Sequence, residues 1–329
     1  MILFRGPNNY LIQETFQLIG LFSPLSVDRN YLRGFEKAIS QFNIGKELYM
    51  IIDLHLHTTC SDGTASPLET LQQAAAAGIH LISICDHNTT SAYDELKMHP
   101  VNYPVQLIVG TEIDSTWKNQ NFHILAYGFH LKEISLQQML SDNRNKLEQM
   151  STDLIRKMEK DYPEISFSEY ESFQRDPSHG GWKGIDYLRS KGLGGIYPEC
   201  MNYYKKYEIM TPAYPSPEKV CDTIHRAGGK AVLAHPWSRL TQEEEAFFAQ
   251  LKEWTAMGID GIECLYPDHS KLLRDQLIDF CHKNHLIVTG GSDSHGEFAK
   301  NVDGITYQIG WEQYELPNTE TPFLLDSIL

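Results

Sequence analysis

The sequence predicts an α/β protein built as a barrel of parallel βα units with a helical insertion. From residue 50 onward, short β-branched runs alternate with longer amphipathic segments, a pattern typical of strands and helices around a parallel sheet. Seven such runs can be counted, and the alternation is interrupted once, by more than eighty residues between positions 129 and 216. At 329 residues the chain is long enough for one large α/β domain or for two smaller ones.

The seven candidate strands are short, apolar and bounded by turn residues. By residue number they span 51–57, 81–87, 105–114, 122–129, 230–236, 261–266 and 286–295. After the first strand, "SPLETLQQAAAAG" predicts a helix with Ser66 as N-cap, Glu69 completing a capping box and Gly78 as the stop. Before the fifth strand, "SPEKVCDTIHRAGG" ends on glycines in the same way.

The interrupting interval predicts a helical insertion, because it contains the long polar helix pattern "LQQMLSDNRNKLEQMSTDLIRKMEKDY". The expected organisation is a discontinuous barrel over 50–130 and 216–310, the insertion at 131–215 and a C-terminal tail at 311–329. Residues 1–49 form an N-terminal extension with one predicted helix, "VDRNYLRGFEKAISQF", capped by Asp28. This extension is either an accessory element or sequence upstream of a start at Met50.

Composition restricts the partners. The formal charge of −15 argues against a protein that grips long duplex nucleic acid, since that needs a wide basic face, although a small basic pocket stays open. No apolar run approaches the roughly 20 residues that span a bilayer, so we expect no membrane contact. The six cysteines are scattered without a C-x-x-C pair, which favours reduced thiols and a cytoplasmic location. The oligomeric state is unknown at this point.

Metal-capable side chains gather where the predicted strands end. In a parallel α/β barrel the loops at the carboxyl ends of the strands converge on one mouth, so these residues are expected to meet. His55 and His57 share one strand face because strand side chains alternate with a period of two, and Asp53 has the same parity but lies deeper. The other candidates are Asp62, Asp86, His87, Glu112, His123, His235, Asp293 and His295.

Such a gathering predicts a metal site. Imidazole and carboxylate groups are costly to bury unless they bind a cation, and a mixed nitrogen and oxygen ligand set suits zinc, manganese or iron. The remaining histidines are interpreted as ordinary core or surface residues, namely His80, His99, His130, His225, His269, His282 and His285.

Six short segments resemble the successive motifs of the PHP (polymerase and histidinol phosphatase) superfamily. They are "DLHLHTTCSDG", "CDHN", "GTEID", "FHILAYG", "LAHP" and "GSDSH". The resemblance extends from Ile51 to about Asn301, apart from the insertion. It implies a distorted, seven-stranded TIM-like barrel with a centre of three divalent ions, and therefore a metal-dependent phosphoric ester hydrolase.

The resemblance implies which residues hold each ion. The first would be held by His55, His57, Glu112 and Asp293. Glu112 would bridge to a second ion, held also by His123 and His235, and the third would be held by Asp62, His87 and His295. Glu112, His235 and Asp293 are expected at the catalytic step, in which water activated by two cations attacks a phosphate monoester in line.

Three neighbouring residues are expected to support this centre. Asp53 and Asp86 are interpreted either as partners that orient the imidazoles or as strand-end hydrogen-bond acceptors. Cys85 stands where the family commonly has threonine. We interpret it as a small buried residue, with an extra thiolate ligand as the alternative.

The insertion points to small phosphorylated substrates. Family members with an insertion here resemble nucleoside 3′,5′-bisphosphate phosphatases and 5′-to-3′ exonucleases acting on short RNA or DNA, which commonly carry Gly-Arg-Pro-His in it. This chain has "FQRDPSHGGWKGIDYLRSKG" instead, in which Arg175, His179 and Lys183 are candidates for binding phosphate. Arg239 is a further candidate because it follows "AHP" at the mouth. Aromatic residues that would either stack a base or pack are Trp182, Tyr197 and Trp237.

Two other functions stay open from the sequence. One is a phosphatase for another metabolite, such as histidinol phosphate. The other is a metal-bound regulatory or scaffolding module whose insertion binds a protein. The complete set of ligand residues argues against the second.

Overall fold

A computed structural model describes residues 49–98, 105–195, 197–298 and 307–317 of the chain. These residues form a curled mixed β-sheet, helices packed against it, and the helices of the insertion. The predicted helix behind Asp28, the rest of residues 1–48 and residues 318–329 lie outside the described residues.

The described residues form eight strands in one sheet, ordered β7-β6-β5-β4-β3-β2-β1-β8. The strands are β1 (Tyr49–Leu56), β2 (Leu81–Ile84), β3 (Gln106–Trp117), β4 (Gln120–Tyr127), β5 (Lys230–Leu233), β6 (Gly261–Leu265), β7 (Ile287–Gly290) and β8 (Glu315–Pro317). Each of the seven predicted runs overlaps one of β1 to β7, and β8 lies in the segment expected to be a tail. The predicted class, an α/β barrel with a helical insertion, is confirmed.

Strand β4 runs against the expected direction. It pairs antiparallel with both β3 and β5, whereas the other pairs among β1 to β7 are parallel. The prediction of a wholly parallel sheet is therefore wrong at β4. Only Lys118 and Asn119 separate β3 from β4, which is too short for a crossover, and both have positive φ (48° and 64°), as in a two-residue hairpin turn.

The sheet closes beside β1. At the mouth, the Asp293 amide donates to the His55 carbonyl (2.9 Å) and the His57 amide donates to the Ser294 carbonyl (3.0 Å). At the other end, β8 pairs antiparallel with the start of β1. These contacts bring the residues after β7 next to the residues after β1.

Within the described part of the chain the α-helices connect the strands and build the insertion. They are α1 (Pro67–Ala76), α2 (Ser91–Met98), α3 (Ile134–Met158), α4 (Phe167–Ser172), α5 (Lys183–Ser190), α6 (Tyr197–Lys206), α7 (Pro217–Arg226), α8 (Glu244–Ala256) and α9 (Lys271–Asn284). α1 begins with the predicted capping box, in which Ser66 Oγ accepts from the Glu69 amide (3.3 Å) and the Glu69 carboxylate accepts from the Ser66 amide (2.8 Å). None of the described helices is both long and apolar enough to cross a membrane.

The insertion has a hydrophobic core of its own, while the first turns of α3 pack into the barrel core. The barrel core contains Phe122, Phe247 and Trp254, all buried. The insertion core includes Ile185, and Phe298 from the segment after β7 is buried in it. Because this aromatic ring comes from the barrel, the two parts contact each other directly beside the mouth.

Gly291 lies at the barrel closure, and its substitution tests the fold. A β-carbon there would lie 2.4 Å from the β-carbon of His55 and 2.5 Å from its amide nitrogen. We expect Gly291→Ala to reduce the free energy of unfolding by about 1–3 kcal/mol, because overpacking a tight site costs that much. Urea denaturation followed by circular dichroism measures the change.

The matched control is Gly195→Ala, where a β-carbon would meet nothing nearer than the Glu199 carboxylate, at 3.5 Å. Its free energy of unfolding should stay within about 1 kcal/mol of the wild type. Identical unfolding curves for the two variants would contradict the tight closure at Gly291.

Candidate metal centre

The residues predicted as metal ligands lie together at the mouth of the barrel. His55 is on β1 and His57 directly follows it, while Glu112 and His123 lie on β3 and β4. The others occupy the loops after β1, β2, β5 and β7, namely Asp62, His87, His235, Asp293 and His295. The expected convergence of distant parts of the chain is therefore observed.

The first donor group lies between Glu112 and Asp293. His55 Nε2 lies 3.2 Å from Glu112 Oε2 and 3.3 Å from Asp293 Oδ1. His57 Nε2 lies 3.3 Å and 3.1 Å from the same two oxygens. One donor atom from each of these four residues lies within 4.8 Å of the other three, close enough for all four to share one ion. The same four residues were grouped by the resemblance.

A second donor group adjoins the other oxygen of Glu112. Glu112 Oε1 lies 2.8 Å from His123 Nδ1 and 3.1 Å from His235 Nε2. The donor atoms that all lie within 4.8 Å of one another belong to His87, Glu112 and His123. His87 therefore reaches this group, which the resemblance did not imply, and His235 joins it through Glu112.

A third donor group surrounds Asp62. Asp62 Oδ1 lies 3.4 Å from His57 Nδ1, and Oδ2 lies 3.4 Å from His295 Nε2 and 3.8 Å from His87 Nε2. The rings of His57 and His295 are stacked, with centroids 3.9 Å apart. His57 thus faces the first group with one ring nitrogen and the Asp62 group with the other.

Most of the donor atoms face one another without forming hydrogen bonds, and the exception is the pair His235 Nε2 and Glu112 Oε1 at 3.1 Å. Within the described residues, buried ring nitrogens of His55, His57, His87 and His123 have no hydrogen-bond partner, and neither has Asp293 Oδ1. Buried polar atoms in proteins nearly always have one. Unpartnered nitrogen and oxygen atoms that converge on shared centres fit divalent cations, for which they are ordinary ligands.

The carboxylates control the charge of the imidazoles. Burial alone would lower the pKa of His55, but the charges of Asp293, Glu263 and Glu112 outweigh it and hold the pKa well above its usual value. Burial acts on His123 in the same way, and Glu112 and Asp114 raise its pKa to about 9. These imidazoles therefore carry protons at neutral pH that a divalent ion must displace, so metal binding weakens as the pH falls.

Glu263 is a supporting carboxylate that sequence reasoning missed. It lies on β6 and is fully buried, with Oε1 2.9 Å from His55 Nδ1. Its Oε2 accepts from the His235 amide at 2.8 Å. A partner on Nδ1 fixes the His55 ring so that Nε2 faces the first group. The signal was present, since Glu263 is the one charged residue in the run "GIECLY".

Asp53 and Asp86 accept hydrogen bonds from loop residues, which is the second of the two roles that the sequence left open. Asp53 accepts from the amides of Ser292 and Gly310, both at 2.8 Å, and burial raises its pKa to about 6. Asp86 accepts from the amide (2.7 Å) and the hydroxyl (2.6 Å) of Thr58. Both carboxylates lie beside loops whose backbone amides are not hydrogen-bonded within the sheet. These amides are therefore the nearest donors to the carboxylates.

Two further residues contact the predicted ligands. Asp114 lies opposite His123 in the β3–β4 ladder, and its Oδ1 is 3.4 Å from His123 Nε2. The Tyr266 hydroxyl donates to Asp293 Oδ2 at 3.1 Å, which leaves Oδ1 facing the first group. Asp114 shares the strand parity of Glu112 and was detectable from the sequence, whereas Tyr266 follows a strand in a loop and gave no signal.

The backbone is strained at two of the predicted ligands. φ is +28° at His235 and +53° at Asp293, values that L-residues rarely adopt. Such strain persists only where surrounding contacts hold it, and it clusters at functional sites. Here Glu263 binds the His235 amide and Tyr266 binds the Asp293 side chain.

A cleft of about 1030 Å³ opens over the three donor groups. The barrel contributes Glu112, Asp293 and Arg239 to its walls, and the insertion contributes aromatic residues including Trp182 and Tyr197. Small-molecule sites usually measure about 300–1,000 Å³. The cleft therefore has room for a ligand much larger than one phosphate group.

The predicted phosphate-binding residues lie in different surroundings. Arg239 lines the cleft, is exposed, and makes no side-chain hydrogen bond or ion pair within the described residues. Lys183 also lines the cleft, but its ammonium donates to the Glu171 carbonyl at 3.1 Å. His179 is half exposed, with Nδ1 2.9 Å from the Asp186 carboxylate. Among these three, Arg239 is the cation best placed to meet a ligand.

Arg175 contacts the backbone of the loop that carries Asp62. Its guanidinium donates to the carbonyls of Thr59 (2.7 Å), Ser61 and Gly181. These bonds use three of the five N–H donors of an arginine. The phosphate-binding role expected for Arg175 is therefore disfavoured by the contacts that it makes.

The aromatic candidates differ in the same way. Trp182 and Tyr197 line the cleft with ring centroids 5.8 Å apart, and the Trp182 indole donates to the Tyr204 hydroxyl at 3.0 Å. Trp237 instead packs edge-on against Phe247 of the barrel core, with centroids 5.0 Å apart. Trp237 thus takes the packing role.

No disulfide joins any of the cysteines, all of which lie within the described residues. Cys85 is fully buried, its thiol donates to the Leu54 carbonyl at 3.2 Å, and burial raises the pKa of that thiol. Cys85 is therefore a small buried residue, and the alternative of a thiolate ligand does not fit.

Comparison with known proteins finds a matching family model and several relatives of similar length. Residues 53–187 match the family model described as PHP domain. The 5′-3′ exoribonuclease of Haemophilus influenzae is 26% identical over 274 residues, covering 80% of this chain and 98% of that protein. The 5′-3′ exoribonuclease Rnm of Escherichia coli is 27% identical, covering 75% and 85%. The 3′,5′-nucleoside bisphosphate phosphatase of Chromobacterium violaceum is 25% identical, covering 76% and 90%.

Solved structures share the fold. The crystal structure of a candidate metal-dependent phosphoesterase from Bifidobacterium adolescentis is 27% identical, covers 78% of this chain and 92% of its own, and superposes with a TM-score of 0.63. An amidohydrolase structure from Chromobacterium violaceum, with bound sulfate and no metal, has a TM-score of 0.64 at 21% identity, covering 85% and 97%. The second likeness concerns the fold alone.

Substitution of Glu263 tests whether this carboxylate supports the metal centre. We expect Glu263→Gln to weaken Mn²⁺ binding about 10- to 100-fold, because partners that orient ligating histidines contribute that much. A glutamine has only one acceptor oxygen for the two N–H groups that Glu263 now accepts from. Isothermal titration of metal-stripped protein with MnCl₂ measures the affinity.

Glu253→Gln is the matched control, since Glu253 is half exposed and pairs with Lys118 at 2.8 Å on the surface. It should bind Mn²⁺ like the wild type. If Glu263→Gln binds as tightly as this control, Glu263 has no part in holding the centre.

Proposed function

We propose that this chain, whose residues 53–187 match the PHP domain model, hydrolyses phosphate esters of small nucleotides, either short 5′-phosphorylated oligonucleotides or nucleoside 3′,5′-bisphosphates, as a metal-dependent phosphoesterase. The observation that carries the proposal is the convergence of nine imidazole and carboxylate side chains, several of them buried and unpartnered, beneath one cleft. The names of the exoribonuclease and bisphosphate phosphatase relatives support the same substrate class.

The three donor groups would hold three divalent ions, with manganese, zinc and iron all compatible with the ligands. Bound ions of this kind supply a hydroxide at neutral pH and neutralise charge on phosphate oxygens. Glu112 belongs to two groups and presents one carboxylate oxygen to each. It would therefore bridge them, as the resemblance implies, with His235 and Asp293 on either side.

The protein's own residues determine where a phosphate lies. His55 and His57 fix one side of the first group, and Asp293 closes it under the cleft. Arg239 presents a guanidinium without a protein partner in the described chain, and guanidinium binds phosphate through two parallel hydrogen bonds. We assign Arg239 to a second phosphate of the substrate. Tyr197 also lines the cleft, and we assign it to stacking against a base of the nucleotide.

The charge and the cleft together limit the length of the substrate. A chain with a formal charge of −15 lacks the broad basic face that long duplexes require. The cleft of about 1030 Å³ lies at the upper end of the usual size range of small-ligand sites, which is compatible with a ligand larger than a mononucleotide. Short single-stranded fragments meet both conditions. Six cysteines outside any disulfide favour a reducing compartment, and we propose a cytoplasmic location.

Substitution of His57 tests the catalytic centre, because its two ring nitrogens face two donor groups. We expect His57→Ala to lower turnover about 1,000-fold or more, since metal-ion stabilisation contributes several kcal/mol and each 1.4 kcal/mol is tenfold. Phosphate and nucleotide release are measured with Mn²⁺, using 5′-phosphorylated oligoribonucleotides of two to five residues, adenosine 3′,5′-bisphosphate and histidinol phosphate.

The control for this assay is His130→Ala, an exposed histidine outside the donor groups. Preferred turnover of histidinol phosphate would instead indicate a metabolite phosphatase. Absence of turnover on every ester by metal-loaded wild-type protein would favour a regulatory or scaffolding module. Unchanged turnover in His57→Ala would reject the site assignment.

Substitution of Arg239 tests the second-phosphate role. We expect Arg239→Ala to lower kcat/KM for adenosine 3′,5′-bisphosphate about 10- to 100-fold, because hydrogen bonds to charged groups contribute about 1.5–3 kcal/mol. With adenosine 3′-monophosphate, which lacks the second phosphate, wild type and variant should differ little. An equal loss on both substrates would assign Arg239 to the metal-bound phosphate or to folding.

A further inference from the structure

We propose that Arg175 is a positioning residue that holds the Asp62 loop for metal binding, so that the insertion controls the occupancy of the Asp62 donor group. This inference rests on the proposed function, because it concerns the same metal centre. It assigns to Arg175 a role different from the phosphate contact that the sequence suggested. The Asp62 donor group is the set His57, Asp62, His87 and His295 defined above.

The Asp62 loop, which joins β1 to α1, contains a tight turn. The hydrogen bonds within this turn do not satisfy all of its backbone carbonyls. The Thr58 carbonyl accepts from the amides of Ser61 (3.0 Å) and Gly63 (2.9 Å), which closes the turn. Asp86, at the end of β2, takes donors from one side, namely the amide and hydroxyl of Thr58 and the hydroxyl of Ser61. The carbonyls of Thr59 and Ser61 remain on the other side and need donors of their own.

Arg175 supplies those donors from the insertion. Its guanidinium bonds to the carbonyls of Thr59 and Ser61, and to the carbonyl of Gly181 within the insertion itself. The loop is thus held between a carboxylate that accepts from its donors and a guanidinium that donates to its acceptors. Arg175 is partly buried, and its charge lies near the carboxylates of Asp62 and Asp86, so it also offsets the negative charge of the loop.

The insertion backbone touches Asp62 independently of Arg175. The Gly181 amide donates to the Asp62 carbonyl at 2.8 Å. Gly180 and Gly181 have φ of +68° and +70°, and a β-carbon on Gly180 would lie 2.9 Å from the Asp62 carbonyl oxygen and 2.4 Å from the β-carbon of Phe298. Only a residue without a side chain permits this approach. Arg175 therefore holds the backbone that precedes Asp62, and the Gly180–Gly181 turn holds the carbonyl of Asp62 itself.

The two donor groups around Glu112 do not depend on this grip. Glu112 and His123 lie on β3 and β4, and Glu263 on β6 supports His55 and His235. Loss of the Arg175 contacts should therefore release the Asp62 carboxylate while leaving the Glu112 groups in place. A purely structural role for Arg175 would weaken all three groups together or none of them.

The experiment counts bound manganese rather than activity. Metal-stripped wild type, Arg175→Ala and Arg175→Lys are equilibrated with Mn²⁺, and bound metal per chain is determined by elemental analysis together with electron paramagnetic resonance of free Mn²⁺. We expect Arg175→Ala to bind one equivalent fewer than wild type, or to bind one equivalent at least 10-fold more weakly, with the remaining affinities unchanged. Arg175→Lys should show the same loss of manganese binding as Arg175→Ala, because a single ammonium group cannot reach all three carbonyls.

The matched control is Arg189→Ala, which removes an insertion arginine whose guanidinium donates to the single carbonyl of His179 at 2.8 Å. This control should bind as many manganese ions as wild type. Should Arg175→Ala fail to fold by circular dichroism, Arg175→Lys decides by the same criterion.

The inference is overturned if the folded Arg175 variants keep the full wild-type stoichiometry and affinities, or if they lose affinity equally for every ion. Both results leave the phosphoesterase proposal standing. A wild-type protein that binds no manganese, zinc or iron would overturn the metal-dependent function and this inference together.

Discussion

The burial of one carboxylate among imidazoles is the constraint on which the rest of this structure depends. Glu112 is 1% exposed, and within the described residues its two oxygens lie 2.8–3.3 Å from ring nitrogens of His55, His57, His87, His123 and His235. Removing so many ionisable groups from water is costly unless cations or protons balance the charge. A curled sheet whose strand ends converge is the scaffold that delivers these side chains from distant parts of the chain to one point.

The supporting contacts explain why the site keeps its shape. Glu263 fixes His55 and the amide of His235, and Tyr266 fixes Asp293. Asp86 from the barrel and Arg175 from the insertion hold opposite sides of the loop that carries Asp62. These supporting residues differ from the predicted metal ligands in their contacts. They contact backbone atoms, or the ligand side-chain atoms that point away from the donor groups. The insertion is therefore part of the site and not an appended domain that merely covers it.

Much of this arrangement could be predicted because the sequence signals are local. Strand parity placed His55 and His57 on one face, and a resemblance in six short segments identified the donor residues that the structure brings together. The prediction of a parallel β4 is wrong although the seven residues between the predicted strands, 115–121, were already too few for a crossover. The supporting roles were harder to predict, since Asp53 and Asp86 bond to loop amides whose positions depend on closure between β1 and β7. Arg175 resembled a phosphate ligand because arginine chemistry alone does not distinguish phosphate from backbone carbonyls.

Anomalous diffraction from crystals soaked in manganese tests the central claim most directly. The account predicts anomalous peaks on both sides of the Glu112 carboxylate, one bounded by His55, His57 and Asp293 and the other by His123 and His235, with a further peak beside Asp62. Ordered side chains in these positions without any anomalous density next to Glu112 would contradict it.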